Sequence, residues 1–328
     1  MGHAGWGTAK PRALGIAAGL TSLDGEPGGH LRFLQRAVEL GYGRIWLPET
    51  FQTDPVAVAG WLAAAHPGHP IGVGVLPAAL RSGPQLAMLA STLSMLGVAE
   101  PVVALGTSSA VMTRRWHGRT PTTVAALASL VAEARLAAAG TRTEGGFVNG
   151  LGPVELRLHL AALGPRSLRL AGRIADGVAL NFVGPDALPS LLAEIDEGAA
   201  EVGRARPPVT VWTHVTVSPD ERDVRAARRW LAPYLSIPGY DRVLRLQGFG
   251  AQVERAQRER LRPAEAAELV DDELLAVVAG FGSAGDARRR VDALLAHGVE
   301  VALLAGAVRP GAATVRTLEA LAPVTGDT

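Results

Sequence analysis

The stretch LHLAALGPRSLRLAGRIADGVALNFV, residues 158–183, reads as strand, helix and strand in quick succession. Leu160-Ala161-Ala162 ends an apolar β-rich run, Arg166 opens a segment of helical period, and GVALNFV (177–183) is β-rich again. Between the first two lies Gly164-Pro165-Arg166, a turn rather than a hairpin.

The same alternation runs along the chain in both directions. Strands are expected at 13–19, 44–48, 70–77, 101–106, 154–162, 177–183, 209–217 and 299–306. Helices are expected at 29–41, 54–65, 83–97, 121–139, 166–174, 186–203, 284–297 and 310–322. Strict β-then-α order implies a parallel sheet of the α/β class, and eight units favour closure into a (βα)8 TIM-type barrel. A doubly wound open sheet is the competing arrangement, because periodicity does not show closure. Thr53-Asp54-Pro55, Gly184-Pro185-Asp186 and Ser283 read as helix caps.

Residues 219–282 break the alternation: they are charged, arginine-rich and helical in period. A structureless loop of that length is improbable in a compact domain. The reading is one barrel domain over 1–328 with a helical insertion at 219–282, between strand seven and its helix, on the C-terminal face. The insertion either helps build the site or only buttresses the barrel.

Composition narrows the function. The chain has 328 residues, 48% of them apolar, and a net charge of +1, which gives no reason to expect a nucleic-acid partner. The absence of cysteine excludes disulfides, thiolate metal sites and cysteine nucleophiles. The eight histidines show no metal-binding spacing, and no metal is expected. No apolar run reaches the roughly 18 residues of a membrane span, and 14–20 is too short and poorly flanked for a signal peptide. The expectation is a soluble cytoplasmic protein with no membrane partner. No GxGxxG follows a strand and there is no phosphate-binding Walker loop, so a nicotinamide or nucleotide-hydrolysing site has little support.

The turn at 164–166 carries chemistry of its own. Pro165 suits the first helical turn, and Gly164 permits either close backbone approach or a positive φ. The free amides of residues 166–168, the Arg166 guanidinium and the Ser167 hydroxyl would make an anion site, most often for phosphate. A tight turn capped by water is the alternative.

Around that turn, AALGPRSLRLAGRIADGVALNFVGPDAL (161–188) closely resembles the signature segment of the luciferase-like monooxygenase superfamily, in its branch dependent on the deazaflavin coenzyme F420. GYGRIWLPETFQTDPVAVAGWLAAA (41–65), IGVGVLPAALRSGPQLAMLASTL (71–93), VVALGTSS (102–109) and the segment 268–304 resemble further units of the family. The resemblance implies a (βα)8 barrel, usually homodimeric, with F420 at the C-terminal mouth. It places the cofactor phosphate at Gly164, Pro165 and Arg166, with Gly106, Thr107 and Ser108 opposite, and counts Thr50, Ala162 and Leu163 among the cofactor-binding residues. It also implies a strand-three bulge with a non-prolyl cis peptide at Gly74-Val75 behind the deazaflavin ring, a trans bulge being the alternative. Gly72 and Gly74 would let that flat ring approach.

Departures from the family pattern shape the expected reaction. Where many members have an acidic residue followed by His, this chain has Glu49-Thr50; where several have a proton-donating Glu after strand four, it has Ser109. Alcohol oxidation needs a base, so reduction of an activated C=C or C=N bond, with a proton from Glu49, His214 or water, fits better. The substrate would be a small or medium organic molecule, peptide-derived ones included. Asn181 ends strand six, where it could bond cofactor or substrate, and His214 alternates with Trp212 and Thr216 on strand seven. Arg114, Arg115 and His117 read as a solvated loop. An FMN-dependent monooxygenase and a catalytically inactive cofactor-binding barrel are the alternatives.

Helices 54–65 and 83–97 carry almost no charge, and the first holds Trp61. A barrel helix should show a polar outer face, so these two are expected to form a homodimer contact.

Overall fold

The computed structural model describes residues 14–18, 26, 28–305 and 311–323. Positions 13, 19, 306 and 310, at the ends of expected elements, lie outside the described residues.

The described residues form nine strands: β1 (Leu14–Ala17), β2 (Ile45–Leu47), β3 (Pro70–Pro77), β4 (Ala99–Gly106), β5 (Arg157–Ala161), β6 (Gly177–Asn181), β7 (Val209–Val217), β8 (Ala279–Gly282) and β9 (Glu300–Ala305). β1 to β7 pair in chain order, β7 pairs with β9, and β9 pairs with β1, all parallel. Eight strands therefore close into a ring, and the open sheet is excluded.

The helices α1 (Gly29–Glu39), α2 (Pro55–Ala65), α3 (Gly83–Met95), α4 (Val124–Ala138), α5 (Pro165–Ile174) and α6 (Leu188–Ala200) follow the first six strands. The insertion supplies α7 (Glu221–Leu231), α8 (Tyr240–Leu246), α9 (Gly250–Arg258), α10 (Pro263–Ala266) and α11 (Asp272–Val278). α12 (Ala284–Leu295) and α13 (Ala312–Ala320) complete the outer layer. Asp54 and Ser283 cap α2 and α12 as expected, accepting bonds from backbone amides of the first turn. Gly184-Pro185-Asp186 does not cap a helix: it forms a turn, and α6 begins at Leu188 without a side-chain cap. No described helix is long and apolar enough to cross a membrane.

The insertion corrects one expectation. Residues 279–282 are not helical but form β8, which pairs with His214–Val217 of β7 outside the ring. β6 pairs only with Val209–Trp212, so β8 takes the same edge of β7 above the point where β6 ends. Four residues, two of them glycine, carry too little alternation to be read as a strand.

Aliphatic side chains from strand and helix fill the layer between ring and helices. The ring's interior is different. Trp46, Trp212, Val102, Ala104 and Leu304 point inward, and His159 lies against Trp46 at 5.5 Å between ring centroids. A Cβ on Gly72 would lie 2.3 Å from the Trp46 indole, and one on Gly177 would lie 2.3 Å from the His159 imidazole. The flat ring for which Gly72 makes room is thus the chain's own Trp46, and Gly74 makes room for Ala104 on β4.

Above the interior, the insertion builds a second core over the inward face of β7. Phe182, His214, Trp230, Tyr234 and Tyr240 pack ring against ring, His214 stacking on Phe182 at 5.2 Å and 15°. Phe, Trp and Tyr make up only 5% of the chain, yet four of them meet here around His214, brought together from the end of β6, β7 and the insertion.

Burial pushes His214 down to about 3, with Arg290 adding to the effect, and burial beside Arg44 and Arg157 pushes His159 down to about 3. The folded chain keeps both neutral at pH 5, whereas unfolded histidines bind a proton below about 6.5. Acidification from pH 7 to 5 therefore favours the unfolded state, by about 2 kcal/mol for each histidine. Replacing His214→Phe should remove about 2 kcal/mol of the stability difference between pH 7 and pH 5, measured by urea unfolding. An unchanged pH dependence would contradict neutral burial of this side chain.

Candidate active site

The C-terminal rim of the ring brings the ends of β2 to β6 together around one irregularity. Along β3 and β4, Val73 pairs with Val103 and Leu76 with Leu105, so β3 carries one extra residue. The peptide bond Gly74–Val75 within this bulge is cis, and Gly74 has a φ of 147° that a side chain would not adopt. A Cβ on Gly74 would lie 2.5 Å from the Ala104 carbonyl oxygen, so glycine is demanded twice over.

The neighbouring strands are fastened to the bulge. The Glu49 amide, just past β2, donates to the Val75 carbonyl at 3.3 Å. Gly106 ends β4 against Val75 on one side and Ala161 of β5 on the other; a Cβ there would meet them at 2.7 and 3.3 Å. The mouth therefore has a tight floor made of Val75, Gly106 and Ala161.

Polar groups ring that floor. The Glu49 carboxylate accepts from the Arg81 guanidinium, and both side chains are mostly buried. Arg81 follows the short turn Ala78–Leu80 after β3 and also donates to the Leu80 carbonyl at 3.1 Å. The Thr50 hydroxyl oxygen is buried and has no hydrogen-bond partner. An unpaired buried hydroxyl is costly, so this oxygen is an exception among the polar atoms around the floor.

At the strand-five turn, Gly164 has an extended φ of −93°, so the backbone conformation there does not call for glycine. A Cβ there would meet only the Ser167 hydroxyl at 3.7 Å, leaving the space above it open. The Ser167 hydroxyl donates to the Gly164 carbonyl at 2.9 Å and accepts from the Gly164 amide at 3.2 Å. The Leu168 amide is spent on the Gly164 carbonyl, whereas the Arg166 and Ser167 amides have no acceptor among the described residues. Pro165 starts α5, and the exposed Arg166 side chain makes no ion pair among the described residues. The amide of Ala162 is used within the barrel, and the Leu163 carbonyl accepts from Arg242 of α8 at 3.4 Å.

Other sequence candidates are occupied elsewhere. The Ser109 hydroxyl accepts from the Met112 amide at 3.3 Å and its carbonyl accepts from Thr113, so Ser109 starts the turn Val111–Trp116. Ser108, with a φ of 60°, sets its hydroxyl 3.2 Å from the Met112 sulfur, while Thr107 lies half-buried beside Gly106. The Asn181 carbonyl oxygen accepts from the Phe182 amide at 2.9 Å, and its side chain also bonds the Tyr240 hydroxyl. His214 faces inward but lies under the aromatic cluster, with neither ring nitrogen hydrogen-bonded. Glu49, Thr50, Gly74, Val75 and Gly106 thus share one floor with the strand-five turn beside it, and His214 stands apart.

Sequence reasoning missed Arg81, Gln247 and Arg242. Gln247 bonds the Gly184 amide at 2.6 Å and the Phe182 carbonyl at 2.9 Å, pinning the loop after β6 to the insertion. For Arg81 a signal existed: a charged residue shortly past the end of a barrel strand. For the two insertion residues no local signal exists. No group of three or more His, Asp or Glu among the described residues could hold a metal ion.

Comparison with known proteins gives the family and the likeness of fold. A reductase of Archaeoglobus fulgidus, 5,10-methylenetetrahydromethanopterin reductase, is 26% identical over 170 residues. That match covers 49% of this chain and 51% of the reductase, so the chain spans about half the length of that relative. A putative coenzyme F420-dependent oxidoreductase of Mycobacterium tuberculosis is 24% identical, covering 90% of this chain and 94% of its own. A solved F420-dependent secondary alcohol dehydrogenase, in complex with an F420-acetone adduct, superposes with a TM-score of 0.75 at 17% identity. It covers 94% of this chain and 97% of that one, a likeness of fold. The family model for luciferase-like monooxygenases matches residues 12–300, and the chain belongs to that family.

Proposed function

We propose that the protein is an F420-dependent oxidoreductase that reduces an activated C=C or C=N bond. The observation that carries the reading is the strand-five turn: two free amides and an unpaired arginine beside a rim built on the bulge. The putative coenzyme F420-dependent oxidoreductase of Mycobacterium tuberculosis supports the choice of cofactor.

Bound F420 would supply a hydride carrier. Gly164, Arg166 and Ser167 would hold its phosphate through backbone amides and the guanidinium. Val75 and Gly106 would lie behind the ring, and the orphan Thr50 hydroxyl would find its partner there. Thr107 and Ser108 would line the opposite side, with Asn181 held by Tyr240 as part of the wall.

Reduction also requires a proton. Glu49 is the carboxylate at the floor, and its bond to Arg81 fixes the direction of its free oxygen. It would order the water that delivers the proton, a smaller demand than serving as the base of an alcohol oxidation. Ser109, already bonded to the Met112 amide, has no base within the described contacts, which also disfavours alcohol oxidation. His214 could serve only if the aromatic cluster opened.

The family description favours a second reading, an FMN-dependent monooxygenase. Titrating the purified protein with F420 and with FMN, following quenching of cofactor fluorescence, separates the two. Saturable quenching of FMN alone would replace the proposal, and binding of neither would remove it.

We further propose that two copies pair through α2 and α3. Neither helix carries a charged residue, and Val56, Met88 and Met95 are exposed, the last at 69%. Exposed apolar surface of this kind marks an interface.

Three outcomes are expected. Gly164→Val should abolish F420 quenching while leaving the urea midpoint unchanged; undiminished affinity would remove this turn from the site. Glu49→Gln should lower kcat by about 10²–10⁴-fold with 2-cyclohexenone as trial substrate, and change F420 affinity by less than about threefold. A fall in kcat of less than about threefold would move the proton step elsewhere. Sedimentation at micromolar concentration should give twice the chain mass, and Trp61→Arg should reduce it to one. A dimer that survives this substitution with full stability would place the contact on another face.

A further inference from the structure

Phe51 and Trp116 stand in water at the mouth, 69% and 52% exposed, and touch edge to face with ring centroids 6.1 Å apart. Phe51 lies two residues past Glu49, in the loop after β2. Trp116 ends the turn Val111–Trp116 after β4. In the ring, β3 separates β2 from β4, so a contact between these loops has to cross the end of β3. That end carries the cis bulge, with Glu49 and Arg81 bonded beside it.

A fold gains little by holding two large rings together in solvent when both stay more than half exposed. Edge-to-face rings over a cavity do, however, offer a stacking surface to a planar guest. The same turn offers charge. Arg114, Arg115 and Arg119 are exposed, and their side chains make no hydrogen bond or ion pair among the described residues. Arg169 and Arg173 of α5, Arg228 of α7 and Arg245 of α8 each pair with a carboxylate, whereas the three arginines of this segment lie together with no acidic side chain among them. In a chain of net charge +1, three unpaired arginines within six residues form a local excess. The reading of this segment as a merely solvated loop leaves both the aromatic contact and the missing partners unexplained.

We infer that Phe51 and Trp116 form an aromatic arch over the bulge and, with the arginines of the same turn, select a planar conjugated substrate bearing an anionic group. The inference rests on the proposed reduction and names the substrate class for that same mouth. Rings stack on the conjugated plane, and guanidinium groups pair with a carboxylate or phosphate at its end. Conjugation to a carboxyl group also polarises a C=C bond, which suits the proposed chemistry.

Calorimetric titration of the full-length protein with trans-cinnamate and with its uncharged methyl ester tests this. Trp116→Ala and Phe51→Ala should each weaken cinnamate binding at least tenfold, and Trp116→Phe should restore it to within about threefold. The double variant Arg114→Gln/Arg115→Gln should weaken cinnamate about fivefold and the methyl ester less than twofold. F420 affinity, read by fluorescence quenching, should stay within about twofold in every variant. No cinnamate binding by the parent at millimolar concentration, or equal binding by Trp116→Ala, would overturn the arch. Loss of F420 affinity in the arginine variant would assign the cations to the cofactor and overturn the inference as well. A parent that binds cinnamate through the arch but ignores F420 would instead overturn the proposed function and leave the arch standing.

Discussion

An eight-stranded ring holds just enough space for side chains, and in this protein two indoles and an imidazole take most of it. Trp46 and His159 fit because Gly72 and Gly177 have nothing where a Cβ would be. With the interior filled, no ligand can sink into the barrel, and all chemistry is pushed to the C-terminal rim. The rim in turn is shaped by what the strands do as they leave the packed core.

β3 does the most. Its extra residue lets Val75 turn toward Gly106, and the carbonyl of Val75 catches the Glu49 amide from β2. Three strand ends are thereby held in fixed relation, and the Glu49–Arg81 pair stands on a rigid base. The strand-five turn joins them through the contact of Gly106 with Ala161. The proposed cofactor site would depend on backbone position more than on reactive side chains, as expected where a bound cofactor carries the difficult chemistry.

β7 organises the other half of the mouth. It pairs with β9 along one edge and with β6, then β8, along the other, so it both closes the ring and anchors the insertion. The insertion's aromatic cluster covers His214 and ties Asn181 to Tyr240, while Gln247 holds the loop after β6. This half is therefore a wall, and the open side of the mouth is left to the loops after β2, β3 and β4.

The repeated strand–helix period determined the eight strand–helix units and their parallel order from sequence, because each element must bury one face and the period says which face it is. The Gly164-Pro165-Arg166 turn was legible for a similar reason: glycine, proline and the residues after them act locally, within one helical turn. The bulge at Gly74-Val75 could be placed through the family resemblance, although Gly72 beside it proved to serve Trp46. Tertiary structure alone decided the rest. Ring closure depends on β6 meeting β7 and β1 meeting β9, contacts that no local pattern encodes. His214 alternates like an inward-facing site residue, yet Trp230 and Phe182, from other segments, enclose it. Arg81 finds Glu49 across 32 positions of sequence, and Phe51 finds Trp116 across the end of β3. Pairings of that kind follow from where the strands end in space, and that is settled only once the ring has closed.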